Sequence, residues 1–294
     1  MRDEAMQEAI ESLVGAYSGR YLPESLARAA IVEVGRRTYS RGFVAANDGN
    51  ISVRIGDDVI LATPTGRSKG FIREDELVKV SLSGEKLEGL LEPSSEIRMH
   101  LGIYRTRPDV MAVEHAHPPI CTGFAVAGVA LDKCILAEVV MTLGAIPIAG
   151  FAAPSTQELA DAVAEKVRLC DAVLLANHGA VTVGRDIFAA HYSMERIEHL
   201  AAITLVARQL GGEKLLTPRQ VQEISEAQRV SGGRLPALAC KTCDDASCSL
   251  GSSASERDPG ESTVTSSEVT VAKDVSEERV AELVSAIREE FAEL

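Results

Sequence analysis

No lysine- or arginine-rich block occurs anywhere in the 294 residues, and the net charge is −13. The electrostatic footprint of a nucleic-acid binder is therefore missing, although scattered basic residues could still hold a small anion. No apolar run is long enough to span a bilayer, so no membrane partner is expected. Arg2, Asp3, Glu4, Glu8 and Glu11 interrupt the first twenty residues, which excludes the apolar core of a secretory signal there, and the expected address is the cytoplasm. Cysteine is sparse, at six residues. Cys121, Cys134 and Cys170 lie in apolar segments and read as buried free thiols. Cys240-x2-Cys243-x4-Cys248 has no nearby histidine, so it reads as unpaired thiols in a Ser-rich tail rather than as a zinc or redox centre.

What remains has ordinary globular proportions, with 46% hydrophobic and 25% charged residues. Residues 1–22 hold a short amphipathic helix, with Met6, Ile10, Leu13, Val14 and Tyr17 at helical spacing. Pro23 opens a second helix that runs to about Tyr39. Ile51–Ile55 and Val59–Ala62 flank Gly56-Asp57-Asp58 as a hairpin, and a further strand follows from Val78 to Leu82. Ser94-Ser95-Glu96 precedes a helix with a serine as its natural N-cap, and Asp109 leads into a strand ending at His115 and His117. Pro118-Pro119 starts a small-residue helix to about Gly128, Ile146–Phe151 is a strand, and Ser155-Thr156-Gln157-Glu158 reads as a capping box. A strand at Ala172–Ala176 runs into Asn177-His178-Gly179, where glycine permits a tight turn, and a long helix from Asp186 to Leu210 closes the domain near residue 235. A hairpin without strict βα alternation predicts a layered α/β domain around a mixed sheet.

The chemistry centres on Glu114-His115-Ala116-His117. Side chains two apart on a strand share a face, so both imidazoles can reach one metal ion. His178, at another strand end, is the natural third ligand, and Glu96, at a helix start, the fourth. Three imidazoles and one carboxylate suit zinc, with another divalent metal as the alternative. His100, one turn beyond Glu96, reads as a group that orients the carboxylate, and His191 and His199 as solvated or interface residues. Three polar pieces, Asn47-Asp48-Gly49-Asn50, Thr65-Gly66 and Ser94-Ser95, suggest an anion site built from backbone N–H groups, hydroxyls and an amide.

In order and spacing, Gly49-Asn50-Ile51-Ser52, Thr63-Pro64-Thr65-Gly66, Pro93-Ser94-Ser95-Glu96, His115-Ala116-His117 and Asn177-His178-Gly179 resemble the class II aldolase/adducin family over about residues 24–215. The resemblance implies a three-layer α/β/α fold in residues 23–235, assembled as a homotetramer. It makes His115, His117, His178 and Glu96 the Zn²⁺ ligands, Glu96 also the catalytic acid/base, and Asn50, Thr65, Gly66, Ser94 and Ser95 the holders of a substrate phosphate. The implied reaction is retro-aldol cleavage of a deoxyketose 1-phosphate, that of L-fuculose or L-rhamnulose, to dihydroxyacetone phosphate and lactaldehyde. The alternatives on the same scaffold are a sugar-phosphate 4-epimerase, a methylthioribulose-phosphate dehydratase and a non-catalytic adducin-like binding module. The glutamate at 96 favours the aldolase branch, since the epimerases carry aspartate there. Two departures stand out. The tyrosine that protonates the departing aldehyde in the family pattern is missing from Ile135-Leu136-Ala137-Glu138-Val139-Val140, leaving Glu138 or water for that task. Beyond the domain comes a Cys/Ser-rich linker, residues 236–274, with the composition of a disordered segment. It ends in an amphipathic helix, residues 275–294, with Val280, Leu283, Val284, Ile287, Phe291 and Leu294 in one stripe and Ser276 as N-cap. This tail is similar to peptides that direct enzymes to the shell proteins of bacterial microcompartments; the alternative is a helix packed back on its own tetramer.

Overall fold

The computed structural model describes residues 2–232, 235–237, 239–242 and 277–292. In chain order the elements are α1 (Arg2–Ala16), α2 (Glu24–Ser40), β1 (Asn50–Arg54), β2 (Val59–Ala62), β3 (Val78–Ser81), β4 (Lys86–Glu88), α3 (Ile97–Thr106), β5 (Ala112–Ala116), α4 (Pro119–Val126), α5 (Ala137–Thr142), β6 (Ile148–Ala149), α6 (Gln157–Val167), β7 (Ala172–Leu175), β8 (Gly179–Gly184), α7 (Ile187–Gln209), α8 (Pro218–Val230) and α9 (Glu277–Ala292). One sheet runs β4-β3-β2-β1-β5-β8-β7-β6. All its pairs are antiparallel except β6 with β7, so the sheet is mixed, and helices cover both faces as expected.

The period-2 alternation of the strands sorts their side chains onto the two faces of the sheet. Ile51, Val53 and Ala112 pack under α2 together with Leu26, Ile31 and Val34. Val113, Val173, Val181 and Val183 face the other way, against Met99, Leu101, Leu159 and Val163 of α3 and α6. The same rule puts Asn50 and Ser52 on the α3 face, where their side chains reach Glu96 and His100. His115 meets Glu96 on that face too, while Glu114 turns to the face of α2 and α7.

Five local expectations need correction. Serine does not cap α3: Glu96 is its N-cap residue, and Ser94 instead accepts from the Glu96 amide through Oγ (3.3 Å). At α6 the capping oxygen belongs to Thr156, which accepts from Leu159 N–H, while Ser155 holds a positive φ of 70°. The turn before β8 is made by Asn177, with φ 57°, and Gly179 serves a different purpose described below. His191 is neither solvated nor at an open surface: it is fully buried, with Nδ1 3.1 Å from Glu114 Oε2. Finally, Cys134 and Cys240 are not free thiols but a disulfide, and only Cys121 and Cys170 are free and buried among the described residues. Spacing cannot reveal a pairing across 106 residues. The bridge is accompanied by backbone bonds from Cys134 N–H to Lys241 O and from Lys241 N–H to Asp132 O, which lay the segment around residue 240 along the loop before α5.

The C-terminal helix predicted from its stripe is present as α9, and it lies on α1 and α2 of its own chain. Val280 and Val284 are each 2% exposed and join the core that contains Ile10, Val14 and Leu26. Burial of two valines contributes roughly 3–6 kcal/mol in transfer terms, which supplies the partner surface a short helix needs. Most of the linker, its Cys243 and Cys248, and the capping Ser276 lie outside the described residues. Among the described residues no helix is long and apolar enough to cross a membrane.

Candidate metal centre and anion cradle

β5 and β8 pair antiparallel, with Ala116 opposite Ala180, so the end of one strand lies beside the start of the other. This register brings His115 and His117 to His178, and their three rings lie with centroids 4.7–5.0 Å apart. One nitrogen from each ring falls within 4.8 Å of the others, the only such cluster among the described residues. His115 Nδ1 donates to Ala180 O (2.8 Å), which leaves Nε2 directed at His117 Nε2, 3.2 Å away. Without a metal, His117 Nε2–H can donate to His115 Nε2 across this gap, and a cation between the two nitrogens would take the place of that proton.

Glu96 adjoins two of the three rings. Its Oε2 is 3.2 Å from His115 Nε2 and its Oε1 is 3.4 Å from His178 Nε2. Oε1 of Glu96 and Nδ1 of His178 are buried without a hydrogen-bond partner. Burial alone would raise the Glu96 pKa, but the hydrogen bond and charge of His115, with His178 and Asn50, hold it well below the usual carboxylate range. Burial, reinforced by His115, lowers His178 to about 4 and lowers His117 as well. The ionised Glu96 carboxylate and the neutral rings of His117 and His178 are in the protonation states a metal ion requires. The donor set, its protonation and its two orphaned atoms all fit a divalent cation.

Behind Glu96 runs a buried polar chain. Asn50 Nδ2 donates to Glu96 Oε2 (2.9 Å), and His100 Nε2 donates to Asn50 Oδ1 (2.5 Å). Ser52 Oγ donates to His100 Nδ1 (2.7 Å), and Tyr104 OH donates to Ser52 O (3.0 Å). Sequence reasoning placed His100 as the group that orients Glu96; the structure shows that it does so through Asn50. Burial lowers His100 to about 3, so its ring is neutral and can accept from Ser52 while donating to Asn50.

The three polar pieces converge beside this group. Pro64 bridges Pro93, Thr65 N–H donates to Glu92 O (3.0 Å), and Ser94 N–H donates to Thr63 O (3.3 Å), so Thr65-Gly66 and Ser94-Ser95 run side by side. Gly66 holds φ 72°, which a residue with a Cβ rarely adopts, and Thr65 and Gly66 are exposed. Asn50, the remaining member, is 3% exposed and already engaged with Glu96 and His100. Glu138 stands exposed in the first turn of α5, and no contact joins it to the histidines.

Two residues near the centre escaped the sequence reading. Asp48 Oδ2 lies 3.4 Å from His117 Nδ1, on the side of the ring away from His115. It belongs to the piece Asn47-Asp48-Gly49-Asn50, whose pattern points to an anion rather than to a carboxylate partner for a histidine. Lys69, at 2% exposure, carries no periodic signal in Ser68-Lys69-Gly70 that would separate it from a surface lysine. Gly179 packs against the centre: a Cβ there would stand 2.5 Å from His117 Cδ2 and 2.6 Å from Ala116 O.

Residues 29–205 match the family described as Class II Aldolase and Adducin N-terminal domain, and the chain belongs to that family. It has the class II aldolase fold and is an enzyme of the lyase type. The 3-oxo-tetronate 4-phosphate decarboxylase of Pectobacterium atrosepticum is 35% identical over 208 residues, covering 69% of this chain and 94% of that protein. An L-fuculose phosphate aldolase of Methanococcus maripaludis is 34% identical over 182 residues, covering 61% and 96%. Among solved structures, an L-fuculose 1-phosphate aldolase superposes with a TM-score of 0.65 at 28% identity, covering 69% of this chain and 96% of that one.

Proposed function

We propose that the protein is a zinc-dependent lyase that cleaves the bond between the carbons α and β to the carbonyl of a phosphorylated keto-sugar, with retro-aldol cleavage of L-fuculose 1-phosphate or L-rhamnulose 1-phosphate as the leading reaction. The observation that carries this reading is the His115–His117–His178 cluster with Glu96 at 3.2 and 3.4 Å from two of its nitrogens. His115, His117, His178 and Glu96 hold the metal, which when bound supplies Lewis acidity to the substrate's oxygens. Asn50, Thr65, Gly66, Ser94 and Ser95 hold the phosphate and so fix the reacting carbons beside Glu96. Glu96 carries the proton to and from the carbon that becomes nucleophilic, and the Asn50–His100–Ser52 chain keeps the carboxylate aimed.

A second reading has specific support. Aldol cleavage releases an alkoxide that must be protonated, and the family's tyrosine for that step is missing from Ile135–Val140. Loss of CO₂ from a 3-oxo acid phosphate forms the same kind of enediolate and releases no alkoxide. The 35% identity to a decarboxylase of such a substrate makes this the competing assignment.

The experiment is a coupled assay for dihydroxyacetone phosphate across L-fuculose 1-phosphate, L-rhamnulose 1-phosphate and 3-oxo-tetronate 4-phosphate, with CO₂ measured in parallel. Triose phosphate without CO₂ from the first two supports the aldolase; CO₂ from the third alone assigns the decarboxylase. A wild-type protein that binds no divalent metal, together with a His115→Ala variant of undiminished activity, defeats both. For the tail, we propose that residues 275–294 direct the enzyme to a microcompartment shell protein; the alternative is that α9 keeps its seat on α1 and α2.

A further inference from the structure

Asn50, Thr65, Ser94 and Ser95 are neutral, and the neighbouring Asp48 and Glu96 carboxylates repel a phosphate dianion. Arg98 and Arg105 line the cavity at Ser94 and Ser95 from its exposed side, so buried positive charge has to come from the protein side of the cradle. The one buried lysine among the described residues stands behind the cradle. Lys69 Nζ donates to Asn47 O (2.8 Å) and to Arg67 O (2.6 Å), one acceptor in each of the two loops that flank the cradle. Its loop is itself fixed, because Gly35 of α2 lets the Lys69 carbonyl approach so closely that a Cβ would stand 2.6 Å from it. A buried ammonium met by carbonyls alone is costly, and a methionine would fill the same space without that penalty. Burial lowers the pKa to about 8, with Asp48 and Glu96 acting in the opposite sense, so the charge persists at neutral pH.

We propose that Lys69 is a positioning residue of the substrate site: it ties the Asn47–Asn50 loop to the Thr65–Lys69 loop and sets a buried positive charge behind the substrate phosphate. The inference rests on the reading of this cradle as a phosphate site. Its consequence is that Lys69 governs affinity for phosphorylated ligands and leaves metal binding and the chemical step alone.

The test compares the full-length wild type with Lys69→Met, Lys69→Gln and Lys69→Arg. The readouts are KM and kcat on whichever phosphorylated substrate the wild type turns over, calorimetric binding of inorganic phosphate, divalent metal content, and amide hydrogen exchange at residues 45–50 and 65–69. Lys69→Met should raise KM and weaken phosphate binding at least tenfold, with kcat within threefold and metal content unchanged, and both loops should exchange faster. Lys69→Gln, which keeps a donor but no charge, should weaken phosphate binding likewise and serves if the methionine variant does not fold. Lys69→Arg should recover most of the affinity. Wild-type phosphate affinity in Lys69→Met or Lys69→Gln overturns the proposal. A wild type that turns over the sugar phosphates but binds no inorganic phosphate overturns the charge role too. A wild type that neither binds phosphate nor turns over any phosphorylated substrate instead overturns the phosphate reading on which the proposal stands.

Discussion

Asp48 Oδ2 lies 3.4 Å from His117 Nδ1, the ring nitrogen opposite the one that faces His115. A carboxylate on the outer nitrogen of a ligating histidine fixes the tautomer and raises the basicity of the inner nitrogen. Asp48→Ala should therefore weaken divalent metal binding by about 10- to 100-fold, as measured by competition with a chromophoric chelator; unchanged affinity would mean that packing alone holds His117. His100 gives a pH prediction. Its folded pKa of about 3 lies below its ordinary value, so the unfolded chain takes up the proton first as the pH falls. Stability from this group is complete above about pH 6.5 and is lost as the pH descends toward 3, and His178 acts in the same direction. The Tm of metal-free protein should fall between pH 6.5 and 4, and His100→Gln should flatten that fall. A Tm that rises on acidification would contradict the assignment of a neutral buried ring.

At the scale of elements, the segment around residue 240 is held to the loop before α5 by the Cys134–Cys240 bond, which spans 106 residues. Closing a loop of that length removes unfolded-state entropy, and its loss costs about 2–4 kcal/mol. Cys240→Ser should lower the Tm, and mass spectrometry of alkylated protein under non-reducing conditions should show Cys134 and Cys240 protected; free reactivity at Cys134 would refute the pairing. The contrast with the strands is instructive. Alternation and turn residues announced the β1–β2 hairpin, β3, β5, β7 and β8, because a strand's side-chain period is written locally. By the same logic His115, His117 and His178 can be placed at strand ends from spacing alone, with Glu96 joined to them from its place at a helix start, and the family resemblance points to the same four. What spacing does not carry is any contact made across the fold: Asp48 on His117, Glu114 on His191, Lys69 on two carbonyls, Cys134 on Cys240. The short β4, α5 and α8 were also missed, since three to thirteen residues with little burial leave a weak pattern.

For the whole molecule, two expectations concern assembly. The family resemblance implies a homotetramer, so light scattering should give four times the 31.3 kDa chain mass; a monomeric mass would reject it. α9 joins the core formed by α1 and α2, so a chain ending at residue 274 should lose stability as Ile10, Val14 and Leu26 become exposed. A fluorescent reporter carrying residues 275–294 should co-localise with shell proteins; a diffuse signal would leave α9 as an intramolecular strut.

Gly179 bears on how this scaffold could diverge. Its missing methyl group is the room in which the His117 ring and the Ala116 carbonyl sit, at 2.5 and 2.6 Å from where a Cβ would stand. The next larger residue would press at once on one of three imidazoles and on the β5 backbone that carries it. A lineage that filled this single vacancy would disturb the reagent before anything else. One carbon atom stands between this histidine cluster and its loss.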